Sequence, residues 1–557
     1  DHRDLHSFPT RRSSDLDFLL IFGANPRVSH MSFISIADPM ESLRAASKRG
    51  ADIRFVDPRY NESIKGIGTH VPVKPDTDVY LMAAILHHLF DQDMVNHEYI
   101  QDHADHIEGL RSFIKEYSPQ QVASIVGISA QSIAALADDI GAAKSAAFYM
   151  STGVNMGRQG SLAYWLLFML SVVTGNLDKP GGNVYSRGFY PAAKAGRMQG
   201  EVKYEPTPLG DVRRIRGSLP GNLMADMILG EDNPIKGLIV ISGNPILSMG
   251  SGEKLQRAFE QLEFVMVIDI YPSATSEYAD YVLPATDMFE RSDINIAGLG
   301  LQKEPFIQYT DFIVPPKAER RPEWWILRQI ELAQGFATEN RELDDYQGAI
   351  DELGLFSRFD HMLRQSNLSI DDVRSSGTVV LNPVAPGKFF SNVIQTESSR
   401  VDCMPASFDE AIGRCRELFD ELGREPEDQL KMISRRTNYM INSWFHNVSS
   451  LKRPKHQNNP LYVHPDDARA RNLGEGSSVT VKNEFGEIKT VVALDESLKP
   501  GTVAITHGWG YSGKTMKTAA KFAGSNANNL LPSGPGSFEK ISNQSFMTGI
   551  KVEVEAA

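Results

Sequence analysis

Two aspartates end matching sequence patterns in separate parts of the chain. The first pattern begins with LLIFGANP at residues 19–26 and the second with LIVISGNP at residues 238–245. In each, a helix-like stretch follows, and then a second apolar run that ends in Asp57 or Asp269. A carboxylate in this place usually binds a ribose hydroxyl or a base edge, and guanine offers two adjacent donors to one carboxylate. Capping of the next turn is the alternative for each aspartate. The pair predicts two nucleotide-like ligands, or one ligand with two nucleotide ends.

The turns that end the first strand of each pattern have residues suited to phosphate binding. Glycine lets the backbone approach a ligand closely, and proline after asparagine holds the asparagine extended with its amide free. A serine lies three residues after each proline, where a helix N-terminus can bind a phosphate. The alternative for each pattern taken alone is an ordinary strand-to-helix turn that binds no ligand. We assign cofactor binding to both turns: Gly23, Asn25, Pro26 and Ser29 in the first, and Gly243, Asn244, Pro245 and Ser248 in the second.

The elements around these residues are predicted from hydrophobic spacing. Continuous apolar runs at residues 19–22 and 238–241 are typical of strands buried on both faces of a parallel sheet. The spacing also predicts helices over residues 42–48 and 79–90, and strands over 70–73, 146–150 and 278–284. Ser118 and Ser129 have the sequence of helix N-caps. Near the end of the chain, residues 478–482 alternate in polarity before the turn 483–486, which predicts a β-hairpin.

The composition limits the class of protein. With 557 residues, 41% of them hydrophobic and 23% charged, the chain suits roughly three or four soluble globular domains. The formal net charge of −13 argues against a nucleic-acid partner. No apolar run reaches about 18 residues, so no direct membrane span is expected. Cys403 and Cys415 are the only cysteines, which excludes a four-cysteine zinc or iron–sulfur site within the chain. No metal ligand is assigned.

Basic residues are concentrated between residues 158 and 216, where nine Lys or Arg accompany four Asp or Glu. Because the chain as a whole is acidic, this excess suits an anionic ligand such as a diphosphate or an anionic substrate. A solvated loop surface explains the cluster equally well.

Residues 1–16 differ from the rest of the chain. They show no apolar period, and HSFPTRRSSDL at residues 6–16 resembles the translation of a sequencing adapter. Such a segment is excluded from fold reasoning, although a natural disordered arm is the alternative. The expectation is a truncated chain whose first strand follows directly and whose export signal, if any, is lost. A cytoplasmic location is favoured, without a decisive signal.

Taken together, the motifs resemble those of the molybdopterin oxidoreductases of the dimethyl-sulfoxide-reductase superfamily from residue 17 onward. The first two units carry the matching residues Gly23-Ala24-Asn25-Pro26, Ser29-His30, Asp57-Pro58-Arg59, Pro75-Asp76-Thr77-Asp78, Thr174-Gly175-Asn176-Leu177, Ser242-Gly243-Asn244-Pro245 and Tyr278-Ala279-Asp280. The last unit carries Asn442-Ser443-Trp444, His464-Pro465-Asp466-Asp467-Ala468, His507-Gly508-Trp509-Gly510 and residues 526–530.

The resemblance implies an α/β fold with two pseudo-symmetric Rossmann-like parallel-sheet domains and a C-terminal double-psi β-barrel. The expected boundaries are 17–185 and 186–335 for the Rossmann-like domains, 336–430 for a connecting region and 431–557 for the barrel. Each Rossmann-like domain would hold one molybdopterin guanine dinucleotide, with molybdenum or tungsten between the pterins. The further cofactor-binding residues implied are His30, Arg59, Thr77, Asp78, Gly153, Asn155, Gly157, Thr275, Asp280, Asn442, Ser443, His507, Trp509, Asn526 and Asn529.

The resemblance also implies a function. Metal-centred redox on a small-molecule substrate is expected, with electrons passed to a [4Fe-4S] cluster that only the complete protein would hold, and with an iron–sulfur subunit as a possible partner. As written, the chain should be inactive. Alternatives are a formate-dehydrogenase-like enzyme, a non-redox acetylene-hydratase-like enzyme, and a non-catalytic subunit such as that of respiratory NADH dehydrogenases.

Three positions depart from the family pattern. Asp76 stands where the family commonly has Gly, Ala274 where it often has Glu, and the segment after Arg187 lacks the usual Gln-Asn-Asn. In formate-dehydrogenase-like relatives an Arg at the position of Arg187 faces the metal and binds an anionic substrate through its planar fork. Arg187 is therefore the candidate catalytic residue, with a pterin phosphate or a plain surface position as alternatives.

Overall fold

A computed structural model describes residues 15–30, 36, 38–185, 204–215, 217–295, 302, 305–335, 363–364, 366–381 and 385–557. The first unit is a four-stranded parallel sheet in the order β3-β2-β1-β5 with helices on both faces. Its strands are β1 (Phe18–Phe22), β2 (Asp52–Val56), β3 (Thr69–Val71), β4 (Ala104–Asp105) and β5 (Ala146–Met150). Its helices are α1 (Pro26–Ser29), α2 (Pro39–Lys48), α3 (Asp78–Asp91), α4 (His97–His103), α5 (Ile107–Ile114), α6 (Pro119–Val126), α7 (Ala130–Ala142), α8 (Thr152–Asn155) and α9 (Gly160–Val173).

Most elements of the first unit lie where the sequence predicts them. The strand Ala146–Met150 has its predicted bounds, and the helix predicted over 79–90 is α3. Ser118 forms a full capping box with Gln121, and the hydroxyl of Ser129 accepts the backbone N–H of Ser132. All five residues of β1 are at most 2% exposed, because their side chains alternate between the two hydrophobic cores on opposite faces of the sheet. The strand predicted over residues 70–73 is β3, which ends two residues earlier than predicted, at Val71.

The second unit contains the second copy of the pattern. Its parallel sheet has the order β10-β9-β8, so that among the described residues β8 is an edge strand, unlike β1. The strand β10 starts at residue 281 rather than 278, because residues 275–278 form a 3₁₀ turn. The elements are β6 (Tyr204–Thr207), β7 (Gly210–Arg213), α10 (Met224–Leu229), β8 (Gly237–Ile241), α11 (Pro245–Ser248), α12 (Gly252–Gln261), β9 (Phe264–Asp269), β10 (Tyr281–Pro284), β11 (Asp293–Ile294), β12 (Phe306–Thr310) and α13 (Glu323–Ala333).

The connecting region packs against both units, with residues 370–380 on the second unit and its later elements on the first. Its elements are α14 (Ile370–Ser376), β13 (Thr378–Val380), α15 (Phe389–Asn392), β14 (Val401–Asp402) and α16 (Asp409–Gly423). The strand β14 pairs in parallel with β4, and Cys403, Cys415 and Leu422 join the core of the first unit. Tyr80 of α3 donates its hydroxyl to the carbonyl of Cys415 at 2.8 Å. The helix α16 is therefore part of the first unit's packing although it is distant in sequence.

The last unit is a closed six-stranded barrel in the order β15-β19-β16-β18-β17-β20. The predicted hairpin is present as β17 and β18, which pair antiparallel. Parallel pairs β15–β19 and β16–β18 lie among antiparallel ones. The elements are β15 (Leu430–Ser434), β16 (Leu461–Val463), α17 (Pro465–Ala470), β17 (Ser478–Asn483), β18 (Gly486–Leu494), β19 (Thr502–Ile505), α18 (Lys517–Lys521) and β20 (Ile550–Ala556).

Within the described residues, no single helix is both long enough and apolar enough to cross a membrane. The adjacent helices α6 and α7 reach that length and composition only as a pair, which is bent by 113°.

Candidate cofactor site

A cavity of about 340 Å³ lies between the first unit and the barrel. The turns that follow β1, β2, β3 and β5 line one side of it, where the carboxyl ends of the parallel strands meet. The barrel lines the other side, and the C-terminal end of α11 brings the second unit to the rim. Crevices at the carboxyl ends of parallel strands are the usual ligand sites of such sheets.

Asp57 lines the cavity at the end of β2, as the sequence predicts for a ligand-binding carboxylate. One carboxylate oxygen accepts the backbone N–H of Arg59 at 2.8 Å, and the other accepts the amide of Asn61 at 2.9 Å. Burial raises the pKa of Asp57, and Arg59 offsets this only in part. A carboxylate has about four acceptor positions. Asp57 therefore caps its turn and retains capacity for a donor in the cavity.

Asn25 lines the cavity, but its amide is not free as the sequence suggests. Its nitrogen donates to Glu62 Oε2 at 2.7 Å, and its oxygen accepts the hydroxyl of Ser63 at 2.6 Å. Burial opposes ionisation of Glu62, but hydrogen bonds and the charge of Arg59 lower its pKa to about 2. The asparagine therefore ties the first turn to the segment that follows Asp57.

Gly23 is required by close backbone packing beside the cavity. Its φ is +55°, and a Cβ atom there would lie 2.9 Å from the backbone nitrogen of Val154. A Cβ on Gly153 would lie 2.6 Å from the carbonyl oxygen of Gly23. The backbone N–H of Gly153 donates to that oxygen at 3.1 Å. Neither glycine can carry a side chain without moving the turns after β1 and β5 apart.

The second copy of the turn differs from the first in where its backbone is left-handed. Ser242, at φ +51°, takes the position of Gly23, whereas Gly243 has no positive φ. Asn244 accepts the hydroxyl of Thr275 at 2.9 Å and donates to the hydroxyl of Ser443 at 3.0 Å. Asn244 therefore connects the second unit to the barrel, and Gly243 is not needed for a left-handed turn.

The two serines of the turns do not lie at helix N-termini. Ser29 and Ser248 are the last residues of the one-turn helices α1 and α11, which begin at Pro26 and Pro245. The prediction of a helix N-terminus at the serines was wrong, because each helix starts directly after its asparagine. Both serines nevertheless line the cavity.

The turn between β3 and α3 contributes two carboxylates to the cavity, from Asp76 and Asp78. Burial raises the pKa of Asp78 to about 7, with a further contribution from the charges of Asp76 and Asp57. Thr77 is fully buried, and its hydroxyl donates to the carbonyl of Lys74 at 2.7 Å. Thr77 therefore holds the turn together, while the aspartates face the ligand space.

The barrel contributes cations and a neutral imidazole. Arg436 Nη1 lies 3.0 Å from His507 Nε2 and 3.1 Å from Asn442 Oδ1. Burial and the charge of Arg436 lower the pKa of His507 to about 4. Because a guanidinium only donates, Nε2 accepts, and Nδ1 donates to the hydroxyl of Ser434 at 2.8 Å. Among the described residues, Arg436 has no carboxylate partner within salt-bridge distance, so its charge is available to an anion.

Trp509 lies behind this wall rather than in the cavity. Its ring is fully buried, and the ammonium of Lys452 lies 3.7 Å from the ring centroid. Lys452 also lies 3.2 Å from Nδ1 of His446 and 3.4 Å from the sulfur of Met440. Burial lowers the pKa of Lys452 to about 8. Trp509 therefore supports the segments that carry Asn442 and His507.

The two aspartates predicted in the second unit lie at opposite ends of its sheet. Asp269 follows β9 and accepts the backbone N–H of Ile270 at 2.6 Å, and burial raises its pKa. Asp280 precedes β10 and accepts the backbone N–H of Val265, near the start of β9, at 2.8 Å. The structure therefore does not bring Asp280 to the carboxyl end of the sheet, where Asp269 lies.

The predicted residues divide into those that line the cavity and those that do not. The lining set is Gly23, Asn25, Ser29, Asp57, Arg59, Asp78, Gly153, Ser248, Asn442, Ser443 and His507. Outside it lie Pro26, His30, Thr77, Asn155, Gly157, Gly243, Asn244, Pro245, Asp269, Thr275, Asp280, Trp509, Asn526 and Asn529. Asn526 and Asn529 are nearby, since Asn526 donates to the carbonyl of Ile246 and Asn529 packs against Gly252. Arg187 falls outside the described residues.

Sequence reasoning missed four charged residues of the lining: Lys74, Asp76, Arg435 and Arg436. A signal existed for the arginines, because a basic pair directly follows the apolar run of β15. Arg435 is held by Asp495 at 2.6 Å and stacks on Tyr462. Among the described residues, no group of three or more His, Cys, Asp or Glu side chains is placed to bind a metal ion.

Two parallel-sheet units with strand-end carboxylates, together with a closed barrel, are typical of a dinucleotide-cofactor protein, and sequence comparison identifies the family. The chain belongs to the molybdopterin oxidoreductases: the family model of that description matches residues 7–332. A second model, the molydopterin dinucleotide binding domain, matches residues 430–544. The chain is therefore an oxidoreductase that uses a molybdopterin cofactor.

Individual relatives are distant. The chain is 24% identical over 517 residues to the F420-dependent formate dehydrogenase subunit alpha of Methanocaldococcus jannaschii, covering 87% of this chain and 71% of that protein. It is 24% identical over 549 residues to dimethyl sulfoxide reductase DmsA of Haemophilus influenzae, covering 89% and 67%. Among solved structures, acetylene hydratase from Pelobacter acetylenicus superposes with a TM-score of 0.76 at 18% identity, covering 98% of this chain and 78% of that one. That likeness supports the fold.

Proposed function

We propose that the enzyme binds two molybdopterin guanine dinucleotides around one molybdenum or tungsten ion and performs redox chemistry on a small substrate. The observation that carries this proposal is the duplicated strand–turn–aspartate pattern, of which one copy, ending in Asp57, opens into a cavity closed by the barrel. The second copy joins the same assembly through the hydrogen bond from Asn244 to Ser443.

The donors and acceptors of the cavity suit a guanine nucleotide. Asp57 and Asp78 supply carboxylate oxygens for the N1–H and N2 donors of guanine. Arg435 and Arg436 supply guanidinium donors for a diphosphate, the anion to which such forks bind most strongly. The acceptors lie on the first unit and the cations on the barrel. This arrangement supports binding of the nucleotide between the two, with its guanine toward the first unit and its diphosphate toward the barrel.

The bound cofactor would supply oxygen-atom or hydride-equivalent transfer at its metal. The residues of this chain bind the cofactor, orient it and exclude water, while His507 stays neutral because of its low pKa. The proposal includes electron transfer to a [4Fe-4S] cluster, which the two cysteines of this chain cannot bind. An iron–sulfur subunit is the proposed partner. Arg187 stays the candidate substrate-binding residue.

The test uses Asp57→Ala and Asp269→Ala in a full-length enzyme. Loss of a charged hydrogen-bonding partner typically costs about 1.5–3 kcal/mol, so each variant should retain less guanine nucleotide per protein. Guanine nucleotide is released by acid and quantified by chromatography. Asp280→Ala is the matched control, because its carboxylate lies at the other end of the same sheet. Full guanine content in both test variants would refute the assignment.

A further inference from the structure

The turn between β3 and α3 carries an ion pair on the wall of the cofactor cavity. Arg158 donates Nε to Asp76 Oδ2 at 2.5 Å and its backbone N–H to Asp76 Oδ1 at 3.0 Å. The side chain of Asp76 is only 4% exposed, and that of Arg158 is 17% exposed. Both oxygens of Asp76 are therefore held by a single residue at the start of α9.

The backbone of Asp76 is unusual for a residue with a side chain. Its φ is +66°, a left-handed conformation that glycine adopts readily and that costs other residues roughly 1 kcal/mol or more. Two neighbouring glycines make room for it. A Cβ on Gly157 would lie 3.0 Å from Asp76 Oδ1, and one on Gly549 would lie 2.6 Å from Asp76 Cβ. The fold therefore accommodates an aspartate where a glycine would be less strained.

The pair extends into the connecting helix and the barrel. Arg158 also donates to Glu421 of α16 at 3.0 Å, and Lys551 of β20 donates to the same carboxylate at 2.7 Å. Glu425 bridges Lys551 at 3.1 Å and Lys431 of β15 at 2.8 Å. Three cations and three carboxylates thus alternate from the cavity wall into the barrel.

We propose that Asp76, Arg158 and Glu421 form a clasp that fixes α16 to the cavity wall of the first unit, where Lys551 of the barrel also contacts Glu421, and that the clasp thereby limits release of the cofactor. Asp76 lines the cavity beside Thr548 of the barrel, so separation of these two walls also separates the clasp from β20. Loss of Arg158 is costly because it leaves the carboxylate of Asp76, which is only 4% exposed, without its cation. The proposal rests on the cofactor lying in this cavity.

The clasp is tested by the rate at which the loaded full-length enzyme releases its cofactor, followed by the fluorescence of the released pterin after dilution. Asp76→Gly removes the carboxylate and relieves the strained backbone, so a folding defect from strain is not expected. Asp76→Asn keeps the shape of the side chain but removes its negative charge, and Arg158→Gln removes the positive charge of its partner. Release should accelerate roughly tenfold in Asp76→Gly and Arg158→Gln. In the double variant Asp76→Gly/Arg158→Gln, the effects should not multiply, because both remove one interaction.

Arg416→Gln is the matched control. Arg416 also connects α16 to the first unit, through a two-point pair with Glu116 at 2.8 and 2.9 Å, but both side chains are about half exposed. Pairs at the surface contribute little, so release should be unchanged. Equal release rates in the wild type, Asp76→Gly and Arg158→Gln, in an enzyme whose Asp57→Ala variant loses guanine, would overturn the proposal.

A second measurement uses the cofactor-free protein. Amide hydrogen exchange in α16 and β20 should be faster in Asp76→Gly and Arg158→Gln than in the wild type, and unchanged in Arg416→Gln. Unchanged exchange would also overturn the clasp. If exchange accelerates but release does not, while Asp57→Ala retains its guanine, then the cofactor lies elsewhere and the proposed function fails instead.

Discussion

At the scale of single residues, the three carboxylates of the cavity differ because their partners differ. Asp57 is held by the backbone of its own turn and by Asn61, and Asp76 is held by Arg158. Among the described residues, the side chain of Asp78 has neither a cation nor a side-chain donor as a hydrogen-bonding partner. Burial and its two acidic neighbours therefore raise its pKa to about 7.

Asp78→Asn should stabilise the cofactor-free protein at neutral and alkaline pH. The pKa of Asp78 is raised on folding, so the folded state binds a proton that the unfolded state loses above about pH 4. The wild type consequently loses stability as pH rises from about 4 to about 7. The variant avoids this loss and should gain about 1–2 kcal/mol at pH 8 after allowance for solvent screening. Urea unfolding at pH 8 and pH 4.5 measures the difference.

The gain from Asp78→Asn should nearly vanish at pH 4.5, where the wild-type carboxyl is protonated in the folded state. Asp280→Asn, whose carboxylate is exposed, serves as the comparison and should show no such gain at pH 8. A variant less stable than the wild type at both pH values would contradict the proposed environment of Asp78.

Residue types at strand ends could be predicted from the sequence, but their contacts could not. Asp57 follows an apolar run, and its place at the cavity follows from parallel strands ending at one edge. The amide of Asn25 is occupied by Glu62 and Ser63, which lie far along the chain. Arg436 reaches the cavity only because the barrel folds back over the first unit. Such contacts depend on tertiary packing, which periodicity does not encode.

At the scale of elements, β1 and β8 show that similar sequences can have different environments. Both are apolar runs, and the sequence predicts burial on both faces for both. Ile239 and Ile241 of β8 are 43% and 42% exposed, whereas β1 is fully covered. The difference arises because both faces of β1 pack into hydrophobic cores, whereas the face of β8 that carries Ile239 and Ile241 is not covered by the described residues. Whether a face is covered depends on tertiary packing and cannot be deduced from one strand.

Amide hydrogen exchange should be faster in β8 than in β1. The amides of β1 lie in a central strand between two partners, whereas one edge of β8 has none among the described elements. Mass spectrometry of peptides covering residues 18–22 and 237–241 makes the comparison, with β9 as the internal control in the second unit. Equal protection of β8 and β9 in this chain would show that a further strand covers the edge.

At the scale of the whole molecule, the connecting helix α16 unites parts of the chain that the sequence separates. It packs Cys415 and Leu422 into the core of the first unit and presents Glu421 to the barrel. We inferred little from the sequence of residues 336–430, although Ile412, Cys415, Leu418 and Leu422 of α16 recur at helical spacing and are buried. The role of α16 becomes visible only through its contacts.

The two cysteines should be unreactive in the folded protein. Both are fully buried, and burial raises the pKa of each thiol to about 12, so little thiolate exists at neutral pH. A thiol reagent such as dithionitrobenzoate should modify neither until urea unfolds the chain, and both afterwards. Analysis of iron and acid-labile sulfide in the purified chain should find no cluster. Stoichiometric iron and sulfide, or rapid modification of the folded protein, would contradict this prediction.

The strand order of the barrel has a consequence for when the enzyme can acquire its cofactor. The strand β20 closes the barrel between β15 and β17, and Met547 and Thr548, just before it, line the cavity. While a ribosome is still translating the preceding residues, the first unit can already be folded, but the wall that faces it is incomplete. A nucleotide bound at that stage would be open to solvent on one side. If the cofactor binds in this cavity, we expect its loading to follow translation, so that the apo-enzyme must persist long enough in the cell to receive it.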